Sequence, residues 1–395
     1  MKKTIFITIG VLLVLLVVGA WAYLFIFGAP EKTDDVFAKF GFGGNSEVTD
    51  VIPYDDSYND PVDDTPRDES TNNMGQGALV KLATRAVAGA SFSSGGVRFA
   101  EQGTGHIYEI PSSGGAESEL VGTTRPRIVR AVFSLSGSRV ALMSEDSENN
   151  IFVGTITKND SGLAVIDGTE KTGDAYNVAF SPSGDKLYYV EHFSSESVGY
   201  AYDLVNESEV VLFRIPLTQV TILWGETIYA LTRPAASLLG NVYKIKGNSL
   251  EYVRNAGFGL MALPYSGGMI TTESSERKLA SRVLKDGTSE KLNDVVFGEK
   301  CIETDDTSEV ILCGVPSQLS AGTLPDDWYK GVTSFSDQFW LIALNTLSSE
   351  FVIEPETIVR ETIDVASIVR DTTGDQFLII NKTDDSLWLL DTTMN

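Results

Sequence analysis

The twelve residues AFSPSGDKLYYV, 179–190, place a strand, a tight turn and a second strand in immediate succession, and the same plan occurs upstream. AVFSLSGSRVALMS, 131–144, sets Phe133 against Phe180, Ser134 against Ser181 and Gly137 against Gly184, 47 residues apart. A repeat of this length is a supersecondary unit that cannot bury its apolar faces alone, so copies must stack on one another.

Weaker copies share the order of strand, Gly-containing turn, strand and later aromatic strand. They are ASFSSGGVRFAEQGTGHIYEI, VTILWGETIYALTRPAASLLGNVYKI, LMALPYSGGMITTESSERKLASRVL, KCIETDDTSEVILCG and ASIVRDTTGDQFLIINKTDDSLWLLD. The 315 residues from Leu79 to Thr393 divided among seven units give 45 each, within the roughly 40–50 of a four-stranded propeller blade. The last unit shows three strands, whereas ALVKLA, 78–83, is an alternating strand that belongs to no later unit. If it supplies the missing outer strand, the ring closes and no sheet edge is exposed. The fold class is all-β, a seven-bladed propeller, with six or eight blades also compatible with the divergent middle copies.

AFSPSGDKLYYV, GHIYEI and SLWLLD are similar to the WD40-like, TolB-type propeller repeat. The resemblance runs from Leu79 to the C-terminus and implies a rigid platform for partners more often than an enzyme scaffold.

The N-terminus carries Lys2 and Lys3 and then an uncharged apolar run, residues 4–28, where about 20 residues suffice to cross a bilayer. Ala20-Trp21-Ala22 has the form of a signal-peptide cleavage site, but YLFIFG prolongs the apolar run beyond it, which favours an uncleaved anchor. The flanking charges leave the N-terminus in the cytoplasm and the rest outside. Residues 29–77, rich in Asp, Asn, Ser, Pro and Gly, read as an acidic disordered tether. The domains are therefore an anchor at 1–28, a tether at 29–77 and a propeller at 78–395.

With 54 acidic against 30 basic residues the formal net charge is −24, which repels nucleic acid. The two histidines, His106 and His192, belong to different units, so no histidine-rich metal site is expected. No Gly-x-Ser-x-Gly elbow, HExxH or P-loop occurs, and no cofactor is implied. A glycosidase or lyase working through carboxylates alone stays open as the alternative, because Asp and Glu are abundant.

Cys301 and Cys313 flank IETDDTSEVIL, a strand, an acidic turn and a strand, and should face each other across a hairpin as a disulfide in an extracytoplasmic compartment. The longest irregular insertion, 314–337, follows between the second and third strands of the sixth unit. It carries Asp326, Asp327, Trp328 and Tyr329, and Trp and Tyr are the commonest binding anchors. Its aromatics either form a contact surface or fold back onto the propeller's core. In an up-and-down blade this loop shares a face with the blade-to-blade connections, which hold Arg85, Arg125, Arg127, Lys171, Arg254 and Arg360. With acidic neighbours such as Glu170, Asp174 and Glu361 among them, these residues read as scattered solubilising charge or, alternatively, as a positive rim around the channel mouth. The expected function is that of an anchored extracytoplasmic propeller that binds an envelope protein or an anionic polymer through this face, which points away from the membrane.

Overall fold

The computed structural model describes residues 78–394 apart from 112–114, 146–150, 160, 172–174, 276–277 and 320–321; the side chains of 254–256 and 275 are likewise not described. The anchor and tether expected at 4–28 and 29–77 lie outside the described residues.

The repeats become antiparallel four-stranded blades. The first, with strands Val87–Ser93, Gly96–Glu101, Ile107–Pro111 and Ser118–Val121, sets the pattern. Inner and middle strands are apolar on both faces because a neighbouring blade presses on each, so Leu387–Asp391 (LWLLD) is buried throughout. Outer strands meet water, and the first four residues of Ser208–Ile215 are all exposed.

Among the described residues five sheets have four strands and one has seven. The seven-stranded sheet is two blades fused through the 17-residue strand Ser249–Tyr265, which is the outer strand of the fourth blade and the inner strand of the fifth. Phe258 makes the transfer, pairing with Leu239 on one side and Ser274 on the other. Gly259 follows with φ +60, a left-handed turn that glycine enters without steric cost. A Cβ there would stand 2.7 Å from Pro325 Cδ, so the position also admits the insertion against the ring.

With that sheet divided in two, the blade count is seven, and seven apolar seams join each blade to the next. The strand Leu79–Ala83 pairs with Leu387–Asp391 as the fourth strand of the last blade. One seam packs Leu82, Leu378, Leu387 and Leu389 of that blade against Val87, Val97 and Phe99 of the first. The ring is therefore closed by the chain's earliest described strand, as ALVKLA led one to expect.

Leu82 is wholly buried at this junction, so Leu82→Ala should cost about 2–5 kcal/mol. Urea unfolding should show the loss as a lower midpoint with an unchanged slope; a midpoint within error of the parent would mean that the closing strand does not hold the ring.

Candidate recognition face

The blade-to-blade connections and the second-to-third-strand loops share one face of the ring, and the insertion spreads across it. Strands claim its ends: Val310–Pro316 and Asp337–Ala343 leave 317–336 between them, with a one-turn helix at Asp326–Tyr329. Asp326 Oδ2 accepts the Ala236 N–H of the fourth blade at 2.5 Å. Asp327 Oδ2 accepts the Thr323 N–H at 2.7 Å, and its carbonyl accepts from Val332 and Thr333. The expected acidic contacts are thus spent holding the loop in shape and docking it on the ring.

Trp328, for which a contact anchor and a fold-back onto the core were both open, is 3% exposed. It packs edge-on to Phe297 at 5.4 Å, in a cluster with Met261, Leu324 and Phe335. Its indole Nε1 donates to Asp364 Oδ1 at 2.9 Å. Its burial has a physical cause: an indole buries a large apolar area, and here its one polar group finds a carboxylate beneath it. The fold-back reading holds for Trp328. Tyr329, at 39% exposed, keeps one edge in water. Its hydroxyl donates to Glu299 Oε1, and burial and that carboxylate push its pKa up while Arg233 pulls it down.

Under the tryptophan lies a group that sequence reasoning missed. Lys300, Asp337 and Asp364 are all fully buried, and the Lys300 amine donates to Asp337 Oδ2 and Asp364 Oδ1, each at 2.5 Å. Burial raises the Asp337 pKa to about 6, against the opposing pull of the ammonium. No motif announces the group, because its members come from three separate stretches of chain and meet only where the sixth and seventh blades pack.

Beside the insertion a cleft of about 480 Å³ opens between the third and fourth blades. Its walls include Tyr176, Asn177, His192, Gln219, Thr221 and Arg233. Tyr176 and His192 stack at 3.5 Å between centroids, only 13° from parallel. Buried Ser197 steadies the pair: it accepts from the Tyr176 hydroxyl, lies 3.2 Å from His192 Nδ1 and donates to the Leu217 carbonyl. Asn177 lies in the left-handed region, and its side chain and carbonyl accept from Ile222 N and Trp224 Nε1. Arg233 is exposed at the rim and its guanidinium makes no ion pair among the described residues.

The basic residues do recur, but as structure. Arg85 pairs with Glu101 and Glu117 over the Tyr108 ring. Arg125 pairs with Glu170 over Phe152, and Lys171 with Glu209 over Tyr202. In each of the first three blades a cation ahead of the inner strand covers an aromatic of the third strand and is neutralised by a glutamate in or next to the outer strand. That corrects the positive rim, because a paired charge contributes little field. Arg127 and Arg360 are exposed residues of positive φ in connecting loops. Arg254 lies within Ser249–Tyr265, and its side chain is outside the described residues. Cys301 and Cys313 stand opposite in register and form the disulfide.

No family model and no curated protein matches the sequence. Among solved structures, the chain is similar to the β-propeller domain of the trilobed protease from Pyrococcus furiosus, which has an open velcro topology (10% identity, 78% of this chain and 95% of that one, TM-score 0.51). It is also similar to an oligogalacturonate lyase in complex with manganese (9%, 81% and 95%, TM-score 0.53). A third similar structure is the hydrazine synthase of Kuenenia stuttgartiensis (13%, 80% and 98%, TM-score 0.51). At these identities the likeness establishes the β-propeller fold and carries no activity with it.

Trp328→Ala should lower stability by about 3–5 kcal/mol, whereas Tyr329→Phe should change it by under about 0.5 kcal/mol, as surface changes usually do. Thermal melts of both variants would check the contrast, and equal losses would contradict the division of labour between the two aromatics.

Proposed function

We propose that the propeller is a recognition module, held outside the cell membrane by residues 4–28, that binds an anionic envelope protein or polymer on the insertion face. The observation that carries this reading is the cleft between the third and fourth blades. It presents a rigid Tyr176–His192 plate, the amide of Gln219, the hydroxyl of Thr221 and the exposed cation Arg233 within one concavity. Such a surface suits a polar chain that stacks a ring or an amide on the plate and sets a carboxylate or phosphate against the guanidinium. The strongly acidic remainder of the protein repels anions elsewhere, which concentrates attraction at this exposed cation.

Carboxylate catalysis on polysaccharide finds less support. Asp337 and Asp364 are sealed beneath Trp328 and do not offer an exposed acid and base. The likeness to an oligogalacturonate lyase is one of fold.

Photo-crosslinking in intact cells, followed by capture of the full chain, tests the reading. Arg233→Glu should lose the captured partner by tenfold or more while the melting temperature stays unchanged. Undiminished capture, or turnover of envelope polysaccharide by the purified protein, would defeat it.

A further inference from the structure

Lys300 ends the short turn Gly298–Lys300 before the sixth blade, Asp337 opens that blade's third strand, and Asp364 immediately precedes the seventh blade. All three side chains are fully buried, and the amine touches both carboxylates. Water is kept away by the rings of Phe297, Trp328 and Phe335, whose centroids lie 5.9, 5.1 and 4.9 Å from the amine.

One ammonium cannot balance two carboxylates, and holding an unpaired ion away from water is strongly unfavourable. One of the acids is therefore favoured in its neutral form. Asp364 is the better anion, since it accepts from both Lys300 and the Trp328 indole. Asp337 is the better neutral acid: its Oδ1 is buried with no hydrogen-bond partner, while Oδ2 accepts from Lys300 and the Val365 N–H. Its raised pKa agrees with that assignment. The group thus combines an amine, a carboxyl in contact with it that burial pushes toward its neutral form, and a carboxylate able to move protons, in a place from which water is excluded.

We propose that Lys300 and Asp337 condense into an intramolecular amide, with Asp364 as the proton carrier. Asp364 first takes a proton from the ammonium, and the neutral amine attacks the carboxyl carbon of Asp337. The nitrogen's second proton passes by way of Asp364 to the departing hydroxyl. The C–N bond forms as the C–O bond breaks, one water leaves, and Asp364 remains as the neutral acid. Nothing is oxidised or reduced. The product carries no buried charge, which favours condensation where an ion pair is poorly solvated. A desolvated lysine beside a base is also the form in which that amine becomes nucleophilic.

The bond would fasten the start of the sixth blade to the end of the insertion, one residue from the Cys301–Cys313 disulfide. The sixth blade would then be cross-linked twice at the place where the recognition face is capped. Arg at 300 would keep the charge and the hydrogen-bond donors without forming the link, so the chemistry can be separated from the ion pairing.

The test is peptide mapping of the full chain, purified from cells, reduced and digested with trypsin. Lys300 should resist cleavage, and peptide 292–330 should be recovered joined to peptide 331–360 at their summed mass less one water. Asp337→Asn should give the identical product by losing ammonia in place of water, and Lys300→Arg should abolish it. Asp364→Asn, which removes the proton carrier, should leave most chains unlinked. Separate recovery of the two peptides from the native chain, with Lys300 cleaved, overturns the proposal, as does fragmentation that maps the link to Asp364. The native digest decides this even if a variant fails to fold.

Discussion

Everything in this molecule rests on the packing of blade against blade. A four-stranded sheet of this size has two apolar faces and cannot stand alone in water, so each of the seven seams supports the two beside it. In a linear stack the end blades would each present a bare apolar face and an open sheet edge. The pairing of Leu79–Ala83 with Leu387–Asp391 removes both ends at once. It is also what makes strands more than three hundred residues apart into one sheet, a non-local closure whose loop entropy must be repaid by the seams.

That closure gives the ring a face on which connections from several blades converge, and the insertion uses it. Docked by Asp326 to the fourth blade, threaded past Gly259 and pinned by Trp328 to Asp364, the segment 317–336 reaches partners from the fourth to the seventh blade. The Lys382 amine of the seventh blade lies 5.4 Å from the centroid of the Trp328 ring. The insertion therefore works as a cap with one half-exposed tyrosine at its margin, and the concavity left uncovered lies alongside it, between the third and fourth blades. The face is thus rigid and filled on one side and open on the other.

The recurring cations show how a true pattern can carry a different meaning. Arg85, Arg125 and Lys171 each come shortly before the inner strand of a blade. Each stands over an aromatic of its own blade with a glutamate alongside. In a one-dimensional reading they are charges in connections, free to act on a ligand. In three dimensions the long aliphatic stem lies along the blade and the charge is satisfied locally. Arg233, outside the repeat pattern and beside Pro234, is the cation that reaches the cleft.

Repetition, the unpaired strand at 78–83 and the cysteine hairpin were legible in the amino-acid order, because each depends on short-range periodicity or on a symmetric spacing that survives folding. The ring, its closing strand and the disulfide follow from them. The fusion of the fourth and fifth blades was not legible, since a single glycine lets one strand serve two sheets without any turn signal. Nor was the burial of Trp328: an exposed and a buried indole are the same letter, and what decides between them is whether a carboxylate waits below. The Lys300, Asp337 and Asp364 group belongs to tertiary structure alone. Its members are 37 and 64 residues from the lysine, and only the packing of consecutive blades brings their charges into one water-free space.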